Sequence, residues 1–156
     1  MTKNKPLIPK LLEITRIILG LTGFMIAYKV SSKEALSWLL ALLIIPTMGL
    51  TGLESLLFSK TAALMKGRES GSRYQIQSGF NNLAIAITGI LVLLVRFGVQ
   101  AQVTIILVAL IFLALSSLNH AWEYFVEKKS LIHFQRLVFT TILWGATLPL
   151  IVAALG

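Results

Sequence analysis

The sequence predicts an all-α fold, a polytopic helical membrane protein with five transmembrane helices in a single domain over 1–156. Hydrophobic residues make up 56% of the chain and charged residues 13%, and the mean hydropathy is +0.85, values far from those of a soluble domain. Apolar residues are gathered in segments of about 20 residues, the length that crosses roughly 30 Å of hydrocarbon. The basic residues between these segments fall mostly on one side. The predicted spans are 11–29, 35–58, 76–98, 101–125 and 134–155.

The first segment is the weakest predicted span, because Glu13 and Arg16 interrupt it. If this segment lay on the membrane surface, the four basic residues within 59–75 would move to the outer side, against the positive-inside rule. We therefore expect it to cross the membrane. In the second segment, Pro46 removes the hydrogen bond to the carbonyl of Leu42, which predicts a kink.

The positive charges predict the orientation of the chain. An odd number of spans places the N-terminus and the 59–75 and 126–133 connections on the same side, with eleven Lys and Arg residues against three on the other. Such a bias in short loops puts the N-terminus in the cytoplasm and the C-terminus outside. With no cleavable signal, a bacterial inner membrane fits best. The eleven residues are Lys3, Lys5, Lys10, Arg16, Lys60, Lys66, Arg68, Arg73, Lys128, Lys129 and Arg136.

Several functions find no support in the sequence. The net charge of +8 lies in juxtamembrane loops, without the basic stripe and interleaved aromatic residues typical of nucleic-acid binding, so no nucleic-acid partner is predicted. The absence of cysteine excludes disulfides and thiol catalysis. No catalytic motif, phosphate loop or nucleotide motif occurs. An enzymatic activity is therefore not predicted, and neither is a cofactor.

Polar residues cluster at the cytoplasmic ends of the second, third and fourth spans, roughly 0–10 Å below the interface. On the fourth span they recur at three- and four-residue steps, which places them on one helix face. Two interpretations are open: the side chains join helices and reach headgroups by snorkelling, or they line a cavity open to the cytoplasm. The candidate binding residues are Glu54, Gln77, Asn81, Asn82, Asn119, His120 and Glu123.

The His120 and Glu123 pair has the spacing of half a helical metal site. Only Glu54 adds a carboxylate at this depth, so the sequence predicts no metal centre. Alternatively, Glu123 orients His120, and the pair handles protons near neutral pH. Trp144 lies mid-span, where its indole N–H needs a partner such as Thr140 or a helix carbonyl.

Two short motifs resemble those of a known family. Gln-Ile-Gln-Ser-Gly-Phe at 75–80 opens the third span, and Asn-His-Ala-Trp-Glu-Tyr at 119–124 ends the fourth. They are similar to motifs of a bacterial family of five-span integral membrane proteins of unknown function, in which a glutamate stands where this chain has Gln77. Pro149 resembles a proline of the family's fifth span. The resemblance covers roughly residues 35–155 in layout, implies a membrane protein of five spans and supplies no activity.

Two functions fit these residues. In the first, a cavity near the cytoplasmic leaflet binds or transports an ion, a proton or a small amphipathic ligand. In the second, the chain is a non-catalytic accessory subunit of a larger membrane assembly. The expected partners are the lipid bilayer, a small ligand or ion, and either further copies of this chain or a larger membrane complex.

Overall fold

The fold was taken from a computed structural model that describes residues 7–61, 73–126 and 131–156; the side chains of Tyr74, Glu123 and residues 131–134 lie outside the description. The described residues form long helices and no strand, which confirms the predicted all-α class. The helices are α1 (Leu7–Ala27), α2 (Ser32–Leu57), α3 (Arg73–Val95), α4 (Val99–Val126) and α5 (Leu131–Leu155).

Within the described residues, four helical segments are long and apolar enough to cross a membrane: Ser32–Leu57, Gln75–Val95, Val99–Val126 and Gln135–Leu155. They correspond to the second to fifth predicted spans and support a multi-pass membrane protein. Helix α1 is not one of the four, because it carries Lys10, Glu13 and Arg16 within 21 residues.

Consecutive helices run antiparallel, so α1, α3 and α5 begin at the end of the bundle where α2 and α4 finish. We call this the basic end, because Lys60, Arg73 and Arg136 lie there; Lys29, Lys33 and Arg96 lie at the opposite end. A tight turn joins α3 to α4 at that opposite end. Arg96 and Gly98 adopt left-handed backbone conformations there, with φ of 56° and 93°.

Helix α2 is the centre of the bundle and contacts each of the other four helices. Its side chains Leu36, Leu39, Leu40, Ile44 and Met48 are completely buried. A helix surrounded by neighbours has to be apolar on every side, which explains the long aliphatic run before Pro46. A π-helical turn over Leu40–Ile44 precedes Pro46 and is closed by a hydrogen bond from the Ile45 N–H to the Leu40 carbonyl. The kink at Pro46 stays a prediction.

Glycines allow α1 and α3 to approach α2 closely. A Cβ added at Gly23 of α1 would lie 3.1 Å from the Leu42 Cβ. At the crossing of α2 and α3, a Cβ at Gly52 would lie 2.7 Å from the Leu83 Cγ and 2.9 Å from the Gly79 carbonyl oxygen. Membrane helices gain stability from such dense backbone contact, because lipid offers no hydrophobic driving force for their association.

The crossing of α2 and α3 generates the first prediction. Gly52→Ala forces a methyl group against a backbone oxygen that cannot move away, and we expect the free energy of unfolding to fall by about 1–3 kcal/mol. Gly145→Ala is the control, because a Cβ at Gly145 in α5 has open space within 4 Å and alanine favours helix. Unfolding in mixed detergent micelles measures both. Equal stability of the two variants would contradict the close approach.

Candidate functional site

The candidate binding residue Glu54 forms an ion pair with Arg16 of α1. The Arg16 Nη2 donates a hydrogen bond of 2.7 Å to the Glu54 Oε2, and Nη1 donates one of 2.6 Å to the Thr51 hydroxyl. The Glu54 side chain is 2% exposed and that of Arg16 is 14% exposed. A charge so deeply buried is costly unless it is paired. Arg16 and Glu54 thus neutralise each other between α1 and α2.

A groove opens between α3 and α4 near the basic end. Its volume is about 300 Å³, at the lower limit of small-molecule pockets. Three of the candidate residues, Gln77, Asn81 and Asn119, line it with exposed side chains. The full lining consists of Gln77, Ser78 and Asn81 from α3 and Phe112, Leu115, Ser116 and Asn119 from α4.

The lining is graded along α4. Phe112 and Leu115 lie toward the middle of the helix bundle, and Ser116 and Asn119 follow toward the basic end. From Phe112 to Asn119 the helix rises roughly 10 Å. Since α3 runs antiparallel, Gln77 lies nearer the basic end than Asn81. The groove therefore has an apolar end and a polar end, both open to the outside of the bundle.

Asn82 does not line this groove. Its side chain is 3% exposed, and its Nδ2 donates a hydrogen bond of 2.7 Å to the Ser78 carbonyl of its own helix. Gly79 and Ala86 share its helix face, and both contact α2. Asn82 is therefore a buried residue of the α2–α3 interface, with its donor satisfied locally.

His120 fixes α4 to α5. Its ring is buried, and its Nε2 lies 2.6 Å from the Arg136 Nη1. A guanidinium can only donate, so Nε2 accepts and the ring proton of the neutral imidazole is on Nδ1. The interaction between His120 and Glu123 predicted from spacing lies outside the described side chains. Closer to the middle of the same interface, the Trp144 indole N–H donates to the Leu110 carbonyl at 3.2 Å, the helix-carbonyl partner expected for this tryptophan.

The candidate residues are thus divided among different places in the bundle. Glu54 is paired with α1, Asn82 is buried toward α2, and His120 is bonded to α5, whereas Gln77, Asn81 and Asn119 meet in the groove. Within the described residues, no group of three or more His, Asp or Glu side chains has the arrangement of a metal site. Two interactions were not predicted from the sequence: Arg16 with Glu54, and Arg136 with His120.

A family model described as a family of unknown function, DUF6790, matches residues 10–155. The chain belongs to this family. The match runs from the first turn of α1 to the end of α5, so membership of DUF6790 covers the Arg16–Glu54 pair as well as the groove. It confirms the resemblance to a family of unknown function, and the long apolar helices are consistent with a membrane protein. No curated protein and no solved structure matches the chain.

The paired charges generate the second prediction. Arg16→Leu leaves the Glu54 carboxylate buried without its cation, and removing one partner of a buried pair typically costs about 3–5 kcal/mol. Adding Glu54→Leu removes the stranded charge, so we expect the double variant to recover most of the lost stability. The measurement is detergent unfolding of the two single variants and the double variant.

The control for this cycle is Glu13→Leu, which removes a carboxylate from the exposed side of the same helix and is expected to change stability little. Strictly additive losses in the double variant would mean that Arg16 and Glu54 do not stabilise each other.

Proposed function

We propose that this DUF6790 member is a five-span inner-membrane protein whose α3–α4 groove binds a small amphipathic molecule at the cytoplasmic leaflet. The observation that carries this proposal is the graded lining of the groove. An amphiphile in a bilayer keeps its head toward the interface and its chain toward the hydrocarbon. Asn119 and Gln77 at the basic end suit the head, and Phe112 toward the middle of the bundle suits the chain.

The arrangement of charges favours an amphiphile over an ion as the ligand. An ion taken out of water needs a counter-charge or a full set of polar ligands. The acidic residue Glu54 is held by Arg16 on another helix, and the seven described residues of the groove are amides, hydroxyls and apolar side chains. A groove that opens on the outside of the bundle also receives molecules that already reside in the membrane.

The first helix supports the five-span part of the proposal. Arg16 turns inward and its charge is neutralised by Glu54, which lowers the cost of crossing the bilayer. Exposed apolar side chains run along most of α1 on its outer surface, as contact with lipid requires; they are Leu7, Ile8, Leu11, Ile14, Ile17, Ile18, Leu21 and Met25.

Reporter fusions test the number of membrane spans and the orientation of the chain in the membrane. Because the Lys and Arg residues gather at the basic end, we expect a reporter fused after Gly156 to be periplasmic and one inserted within 66–73 to be cytoplasmic. Alkaline phosphatase and a fluorescent protein, which are active on opposite sides of the inner membrane, provide the measurement. Both positions on one side would contradict five spans.

Photolabelling tests the groove. The probes are photoactivatable molecules with one alkyl chain and a glycerol, phosphate or trimethylammonium head, together with the same chain lacking a head. We expect at least one headed probe to label peptides containing residues 77–81 and 112–119 saturably, and more strongly than the headless chain. The sites are mapped by mass spectrometry on the full chain in lipid nanodiscs.

Two tryptophan variants of α4 distinguish the groove from the rest of the lipid-facing surface. Leu115→Trp fills the groove and should abolish saturable labelling, whereas Leu118→Trp should leave it unchanged. The two leucines are comparably exposed, at 62% and 56%, but only Leu115 is in the lining. If no headed probe labels the groove more than the headless chain, the binding proposal is wrong, and an accessory role in a larger assembly becomes the better explanation.

A further inference from the structure

The side chains at the polar end of the groove indicate the chemistry of the head that binds there. Gln77, Asn81 and Asn119 each offer an amide oxygen and two amide N–H donors, and Ser78 and Ser116 each offer a hydroxyl. Each of these side chains can both donate and accept hydrogen bonds, and none carries a charge. Such a set matches a head that also presents both donors and acceptors.

A charged head is poorly matched to this lining. A phosphate or ammonium group that leaves water for the membrane interface requires a charged partner to offset its desolvation. Along the chain, the nearest described cation to the groove is Arg73, which is exposed one turn before Gln77 on α3 and is not part of the lining. On the α4 side, Arg136 donates to His120, the buried residue that follows Asn119. Arg16 likewise donates to Glu54 and Thr51 between α1 and α2.

Neutral amides suffice for an uncharged head. Each hydrogen bond between a lining amide and a hydroxyl or carbonyl replaces a bond to water, with a net gain of about 1 kcal/mol. The apolar part of the groove, at Phe112 and Leu115, adds the burial of the first carbons of a chain. The volume of about 300 Å³ fits a small head and a short part of its chain, not a bulky sugar-bearing head.

We infer that the ligand is an uncharged amphiphile whose head carries hydroxyl and carbonyl oxygens. This inference rests on the proposed function and specifies the ligand class of the same groove. Two classes of molecule have this chemistry. A glycerol ester carries both hydroxyl and carbonyl oxygens, whereas a long-chain quinone carries carbonyls in its oxidised form and hydroxyls in its reduced form, the quinol. The groove recognises the head through Asn81 of α3 and Asn119 of α4, which both belong to its lining.

The test compares the half-saturation concentrations of the photoactivatable probes in nanodiscs. We expect the glycerol-headed probe to label the groove at a concentration about tenfold or more below those of the phosphate and trimethylammonium probes. A quinol with the same photoactivatable chain forms a separate arm: its labelling relative to the glycerol probe distinguishes the two sources.

Amide variants show whether the head contacts the side chains. Asn81→Leu and Asn119→Leu keep the approximate shape of the side chain and remove its hydrogen bonds. Each should raise the half-saturation concentration of the glycerol probe about fivefold, as expected for one lost hydrogen bond. Gln100→Leu is the control, because Gln100 is an exposed amide at the opposite end of α4. Glu123→Gln tests the carboxylate one turn beyond Asn119 and should leave the order of the probes unchanged.

The outcomes separate this inference from the proposed function. If the phosphate or trimethylammonium probe labels the groove as well as the glycerol probe, or if the amide variants leave labelling unchanged, an amphiphile still binds but its head is not selected by neutral amides. Loss of trimethylammonium labelling in Glu123→Gln would likewise assign the head contact to a charge. If all headed probes behave like the headless chain, the proposed function itself is wrong.

Discussion

The ion pair between Arg16 and Glu54 is the interaction on which the arrangement of the helices depends. A chain surrounded by lipid has no solvent to stabilise a buried charge, so each charge inside the bundle needs a partner on another helix. Glu54 lies on the central helix α2, and Arg16 is the group that neutralises it. Helix α1 therefore packs against α2 with Arg16 turned inward, whereas apolar side chains such as Ile14 and Ile17 are exposed on its outer surface.

The position of the groove follows from which of the remaining helices pack against each other. The glycine face of α3, including Gly79 and Gly89, packs against α2. Helix α4 is instead bound to α5, through the Trp144 indole at mid-height and Arg136 near the basic end. Helix α3 thus packs on α2, and α4 packs on α5. Because they pack on different helices, α3 and α4 leave a groove between them near the basic end, and polar residues line it.

Much of the fold could be predicted from the sequence, because hydropathy and segment length determine it. The second to fifth predicted spans agree with the helices to within a few residues. The Arg16–Glu54 pair could not be predicted from the sequence. In an antiparallel pair of helices, residues at equal distances from the connecting turn are expected to lie opposite each other, and this count pairs Arg16 with Leu43. In the structure Gly20 contacts Leu43. Arg16 lies one turn before Gly20, and its long side chain reaches a glutamate 11 residues beyond that leucine.

The division of the polar cluster has a similar cause. Asn119 and His120 are neighbours in sequence, but successive residues of a helix point about 100° apart, so one lines the groove and the other is buried against α5. The three- and four-residue spacing identified a polar side of α4. It did not show whether Asn119 or His120 packs against another helix. Only the packing of α4 on α5 decides this.

The exposed polar side chains of the groove are all amides. The charged side chains of Arg16, Glu54 and Arg136 are bonded to side chains of other helices, whereas the amides of Gln77, Asn81 and Asn119 remain at the open surface. An amide near the interface is cheaper to expose to a mixed environment than a charge, since its desolvation costs far less. The same property underlies the proposed ligand class, because neutral amides form hydrogen bonds with hydroxyl and carbonyl groups but do not offset the desolvation of a full charge. The proposed preference of the groove for uncharged molecules thus rests on the pairing of the interior charges.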